Sequence, residues 1–128
     1  MTIEGNKVNV KRTAKELFDF LAEFKNFEQL MPEEVKKFEA DETSFVFGIK
    51  GMPDVRLIKK SEVEPTQIIL KGASSKLPVE LIADITENGD SSEVKLTFNG
   101  DFNPMIKMMV QKPLKKFIET LTVNLEKL

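Results

Sequence analysis

The chain contains no cysteine, no histidine, no tryptophan and no tyrosine. Without cysteine there is neither a disulfide nor a thiolate nucleophile. Without histidine there is no Ser-His pair, no imidazole base and no imidazole ligand for zinc. Carboxylates, lysines and hydroxyls are what remain for acid–base work. Glycine and proline are sparse, six of each in 128 residues. The glycines are scattered, so no phosphate-cradling P-loop and no G-x-G-x-x-G turn occurs. No apolar run reaches transmembrane length, and the opening "MTIEGNKVNVKR" lacks the greasy centre and small-residue cleavage site of a signal peptide. The expectation is a cytoplasmic protein without stable membrane insertion.

Hydrophobic residues make up 41% and charged residues 31%, with both signs mixed along the chain. That is a globular composition, and the length suits a single domain over residues 1–128 that buries about two-thirds of its unfolded surface. The formal net charge is −2. Such a balance lacks the concentrated basic footprint that phosphate backbones require, so nucleic acid is not an expected partner. No tight carboxylate cluster appears, and with the soft and imidazole ligands missing no metal and no redox cofactor is expected.

Val8 and Val10 alternate with polar neighbours in a first strand. "TAKE" then sets Thr13 three residues before Glu16, the spacing of a capping box, so a helix should begin at Ala14. Leu17, Phe18, Leu21, Phe24 and Phe27 keep a helical spacing, but Asn26 and Pro32 suggest two short helices, the second ending near Met31. From Glu34 to Asn103 the period changes to two. Phe45, Phe47 and Ile49 share a strand face, Leu57 lies on the next, and Ile68 and Leu70 follow. Val79, Leu81, Ala83 and Ile85 mark another strand, and Val94, Leu96, Phe98 and Phe102 the last. Turn formers break the run at "ADETS", "KGMPD", "EPTQ", "SSKLP" and "ENGDSS". Short loops favour antiparallel neighbours, which predicts an α+β protein: a curved meander of about six strands plus the first, covered on its greasy face by a final helix.

That helix is expected from about Pro104, whose missing N–H suits a first turn, to about Lys127. Ile106, Val110, Leu114, Phe117, Leu121, Leu125 and Leu128 form its main apolar stripe. At about 100° per residue Met105 and Met109 flank the stripe while Met108 points away from it, so the start of the helix is apolar over a wide arc. Pro113 removes a backbone hydrogen bond and predicts a bend that frees the first half of the helix.

A first strand, two short helices, an antiparallel sheet of about seven strands and a long closing helix together resemble the helix-grip fold of the START-like, or SRPBCC, superfamily (polyketide cyclase/dehydrase and lipid transport). The resemblance spans the whole chain. It rests on "KVNVKRTAKELFDFLAEFKNFEQLMPEEV", similar to the entry strand and helix pair, and "NPMIKMMVQKPLKKFIETLTVNLEKL", similar to the closing helix. It implies a cavity between the concave sheet and that helix. By strand alternation the walls would be Phe45, Phe47, Leu57, Leu70, Leu81, Leu96 and Phe98, joined by Ile106, Met109, Val110 and Phe117. Lys59 shares the parity of Leu57 and would point inward unless a bulge resets the register. Apolar alternation is the same in a filled core and in an open pocket, and the sequence leaves both open.

The implied function is binding or transport of a small hydrophobic ligand such as a lipid, isoprenoid, quinone or polyketide-like molecule. A cyclase or dehydratase using Lys59 or Arg56 is the enzymatic alternative. Cyclases of this superfamily use aromatic hydroxyls and histidines that this chain lacks, so the reading leans away from catalysis. Glu80 and Asp84 fall on the outward parity and read as surface charges. A third reading makes the Met-rich helix face an interaction module, for a partner or for a second copy in a homodimer. Lys107, Lys112, Lys115 and Lys116 beside it would also suit anionic lipid head groups.

Overall fold

Two short strands open the chain, β1 (Thr2–Glu4) and β2 (Val8–Val10), followed by helix α1 (Ala14–Ala22) and a 3-10 helix (Phe24–Leu30). Six longer strands follow: β3 (Val35–Ala40), β4 (Ser44–Ile49), β5 (Val55–Val63), β6 (Gln67–Gly72), β7 (Val79–Asn88) and β8 (Ser91–Gly100). Helix α2 (Pro104–Glu126) closes the chain. The computed structural model describes residues 1–75 and 77–128; Lys76, within the expected "SSKLP" break, lies outside the described residues.

The sheet is antiparallel throughout, ordered β1-β8-β7-β6-β5-β4-β3, with β2 also paired to β8. Strand β8 thus carries both opening strands along one edge, Ile3 opposite Phe98 and Val8 opposite Val94. The sequence predicts one opening strand where there are two. Gly5 explains the split. A Cβ there would sit 2.8 Å from Thr122 Oγ1 and 3.2 Å from Ile118 Cγ2, so α2 crosses the sheet edge against bare backbone. The chain interrupts its pairing to let the helix through.

Local chemistry fixes the other junctions. Thr13 Oγ1 accepts from the Glu16 amide at 3.1 Å, and Glu16 accepts in return from the Thr13 amide at 2.9 Å, closing the capping box that starts α1. Gly89, at φ 66°, makes the β7–β8 hairpin turn, a conformation that costs a residue with a Cβ. At the β3–β4 turn Asp41 Oδ1 accepts from the amides of Thr43 and Ser44, both at 2.8 Å. Those two backbone donors hold the Asp41 carboxyl below the usual carboxylate range.

Strict alternation along β7 and β8 buries Val79, Leu81, Ala83, Ile85, Val94, Leu96 and Phe98 on the concave face. These side chains, the aromatic group around Phe45, and the inner stripe of α2 form one continuous core. Phe45 lies among Phe24, Phe27, Phe38 and Phe47 at centroid distances of 4.6–6.1 Å. Phe117 carries the aromatic contact into the helix, stacked on Phe47 at 4.6 Å and 9°.

Candidate functional site

Helix α2 is held unevenly along its length. Asn103 Oδ1 accepts from the Ile106 amide at 2.9 Å, capping the start, and Pro104 fills the first turn. Every residue from Pro104 to Met109 is nevertheless exposed. Val110 is the first buried side chain, and Leu114, Phe117, Ile118, Leu121 and Leu125 continue the buried stripe. The helix runs unbroken through Pro113. Because proline lacks an N–H, the Met109 carbonyl cannot receive its usual helical bond, and it is the weakly packed half that lies before this gap.

A cleft borders each part of the helix, one before Pro113 and one from Pro113 onward. The first, of about 160 Å³, lies between the start of α2 and the rim of the sheet. Ile106 and Val110 form its helix side, Val55, Val79 and Phe98 its floor, and Met52, Pro53, Leu77 and Phe102 its lip. All of these side chains are apolar. The second, of about 290 Å³, runs between α2 and strands β3 and β4. Pro32, Val35, Ile49, Pro113 and Phe117 line its floor, with Glu34, Lys36, Lys50 and Lys116 around it. Lys116 pairs with Glu34 at 3.2 Å. The Glu34 carboxyl is held below the usual range, first by its own backbone amide and then by Lys116.

The structure distributes the expected lining residues among three environments. Phe98, Ile106 and Val110 meet in the first cleft, and Phe117 borders the second. Phe45, Phe47, Leu57, Leu70, Leu81 and Leu96 lie in the packed core, each 3% exposed or less, and border neither cleft. Met109 borders neither cleft, and Lys59 borders a separate one of about 370 Å³, with Ala22, Phe24, Glu42, Thr43, Ile58 and Glu62. Strand β5 carries a bulge between Lys59 and Ser61, so Lys59 keeps its parity opposite Leu70 while lying beyond the last β4 partner of the strand. Its ammonium turns to solvent and pairs with Glu62 at 3.1 Å. Met109 is 59% exposed, because it is turned about 100° from Val110, beyond the arc that faces the sheet.

Of the first cleft's floor, periodicity named Phe98 as lining and put Val79 on the same strand face as Leu81; it named neither Val55 nor the turn residues of the lip. Met52, Pro53 and Leu77 sit in turns, where alternation carries no information; the signal was apolar residues inside the breaks "KGMPD" and "SSKLP". Buried polar side chains are confined to Ser44, Ser92 and Thr122 among the described residues, all away from the clefts. Ser44 Oγ accepts from Arg56 at 2.7 Å, and Thr122 Oγ1 donates to the Ile118 carbonyl at 2.8 Å. Among the described residues no cluster of three acidic side chains is placed to hold a metal.

No protein-family model matches the sequence, and neither does any curated protein. Solved structures do match. A START superfamily protein from Mycobacterium smegmatis is 15% identical with a TM-score of 0.66, over 98% of this chain and 97% of that one. A protein from Thermus thermophilus is 15% identical with a TM-score of 0.71, over 99% of this chain and 95% of that one. The KanY protein, solved in solution, is 12% identical with a TM-score of 0.79, over 99% of this chain and 95% of that one. At such identities the likeness concerns the fold. Together with the curved antiparallel sheet closed by α2, it identifies the chain as having the START-like helix-grip fold.

Proposed function

We propose that the protein binds a small hydrophobic molecule, of lipid, isoprenoid, quinone or polyketide-like character, in the cleft beneath the first half of α2. The observation that carries this reading is the apolar lining of that cleft among the described residues, beside a half-helix with no buried side chain before Val110. At about 160 Å³ the cleft is small beside the ~300 Å³ from which drug-sized pockets start. It takes an acyl end or a single ring as it stands. A larger ligand enters when the turns before Pro113 swing outward, which disturbs few buried contacts. Supporting binding over catalysis, the described residues of the lining include no side chain able to give or take a proton, and Lys59 is paired at the surface.

The test is titration with an environment-sensitive apolar dye, read by fluorescence and by methyl NMR. Saturable uptake is expected, with shifts at Val55, Val79, Ile106 and Val110. Val110→Phe fills the cleft and should weaken uptake about tenfold or more, the size expected for a lost apolar contact of more than about 1.4 kcal/mol. Uptake unchanged in Val110→Phe, or no uptake by the wild type, would sink the reading.

A further inference from the structure

Six large hydrophobic side chains are exposed among the described residues, and four of them fall within five consecutive positions: Met105, Ile106, Met108 and Met109. Met108 is 82% exposed and Met105 75%. Scattered exposed apolar residues need no explanation, but a contiguous group on one helix start marks an interaction site. The exposure is not a matter of helix phase alone. Ile106 and Lys107 fall on the side of α2 that faces the sheet in later turns, and both are exposed here. The helix start therefore overhangs the sheet rim, presenting apolar side chains around much of its circumference.

Charge supplies the identity of the partner. From Phe102 to Ile118 the chain has four lysines, Lys107, Lys112, Lys115 and Lys116, and no acidic residue, in a protein of net charge −2. Lys116 is engaged by Glu34, whereas Lys107, Lys112 and Lys115 form no ion pair among the described residues. Lys112, Lys115 and Lys116 lie on the outer half of the helix, as Met105 and Met108 do, but further along the axis. At about 1.5 Å per residue they follow Met108 by about 6 to 12 Å. With the helix start leading into the boundary between head groups and acyl chains, that axial offset keeps the lysines at the level of the lipid phosphates. No helix among the described residues is long and apolar enough to cross a membrane.

We propose that the first two turns of α2 dock the protein reversibly on an anionic lipid bilayer. Met105, Met108 and Met109 enter the head-group boundary, and the lysines behind them meet the lipid phosphates. Methionine suits this role because its flexible, polarisable side chain packs against irregular apolar surfaces. Docking in this pose also brings the lip of the apolar cleft, at Met52 and Phe102, beside the membrane. The docking does not depend on the cleft being occupied.

The experiment is cosedimentation of the full chain with large unilamellar vesicles, either of phosphatidylcholine alone or of phosphatidylcholine mixed with phosphatidylglycerol. Binding is expected on the anionic vesicles only, and it should weaken as salt is raised. Lys112→Gln with Lys115→Gln should weaken it about thirtyfold, from the contribution of roughly 1 kcal/mol per lysine near an anionic surface. Met105→Glu with Met108→Glu should abolish it. Glutamate is favoured at a helix start, so that pair retains the fold. Three results would overturn the proposal. One is no binding to anionic vesicles. Another is equal binding to neutral vesicles that ignores the lysine pair. The third is a dimer in light scattering that the methionine pair dissolves, which would give the surface to a second copy of the chain.

Discussion

Phe117 joins the core to the second cleft, so its removal reads out both. The ring is 2% exposed and stacks on Phe47 at a centroid distance of 4.6 Å, while one edge borders a cleft of about 290 Å³. Truncating a buried phenylalanine to alanine costs about 3–5 kcal/mol, with the spread set by how far the site can relax. Here one side of the vacated space opens to an existing cleft, so water or neighbouring side chains fill part of it and the lower figure applies. We expect Phe117→Ala to lose about 3 kcal/mol in urea denaturation with an unchanged m-value, and to melt about 12 °C lower. A double-mutant cycle of Phe117→Leu with Phe47→Leu should show a coupling of about 1 kcal/mol from the stacked pair. The functional consequence runs the other way. The vacated ring site joins the second cleft, so Phe117→Ala should take up an apolar dye there more readily than wild type. A loss below about 1 kcal/mol would refute the packing argument. A full loss of stability without any gain in uptake would show that ring site and cleft are not continuous.

At Gly5 the perturbation is overpacking. The Thr122 hydroxyl that an added Cβ would meet at 2.8 Å is itself bonded to the Ile118 carbonyl, so it does not move aside cheaply. Gly5→Ala should cost about 1–3 kcal/mol, and Thr122→Ala should restore part of it in the double variant, as thermal melts would measure. Identical losses in the single and double variants would place the strain elsewhere. The Asp41 prediction concerns pH. Its folded pKa lies below the unfolded one because the Thr43 and Ser44 amides favour the charged form. The stabilisation is therefore present above the unfolded pKa and is lost as pH falls through the folded pKa. Asp41→Asn should melt below wild type at neutral pH, and the gap should close in acid; a gap that stays constant with pH would contradict the assignment.

Most of the fold was legible because it follows from angular periodicity and from cap chemistry, both of which are local. Thr13 with Glu16 announced the start of α1, and alternation from Val79 to Phe98 fixed which side chains of β7 and β8 face inward. The split of the opening strand was not legible. It depends on Gly5 meeting Thr122, residues far apart in the chain, and no local pattern reports that encounter. The candidate site failed in the same way at its edges. Helix phase told which side of α2 Ile106 occupies, but not that the sheet stops short of it; periodicity gives an angle about an axis and says nothing of where the opposing surface ends. Lys59 illustrates the point on a strand, since its parity is inward and its place beyond the end of β4 turns it to solvent. A residue's direction is thus encoded locally, whereas its burial depends on the reach of the neighbouring element. That is why periodicity could name Phe98 and Val110 as inward-facing, while the part played by Met52, Pro53 and Leu77 in the turns, and the overhang of the methionines, depend on strands and helix being placed together.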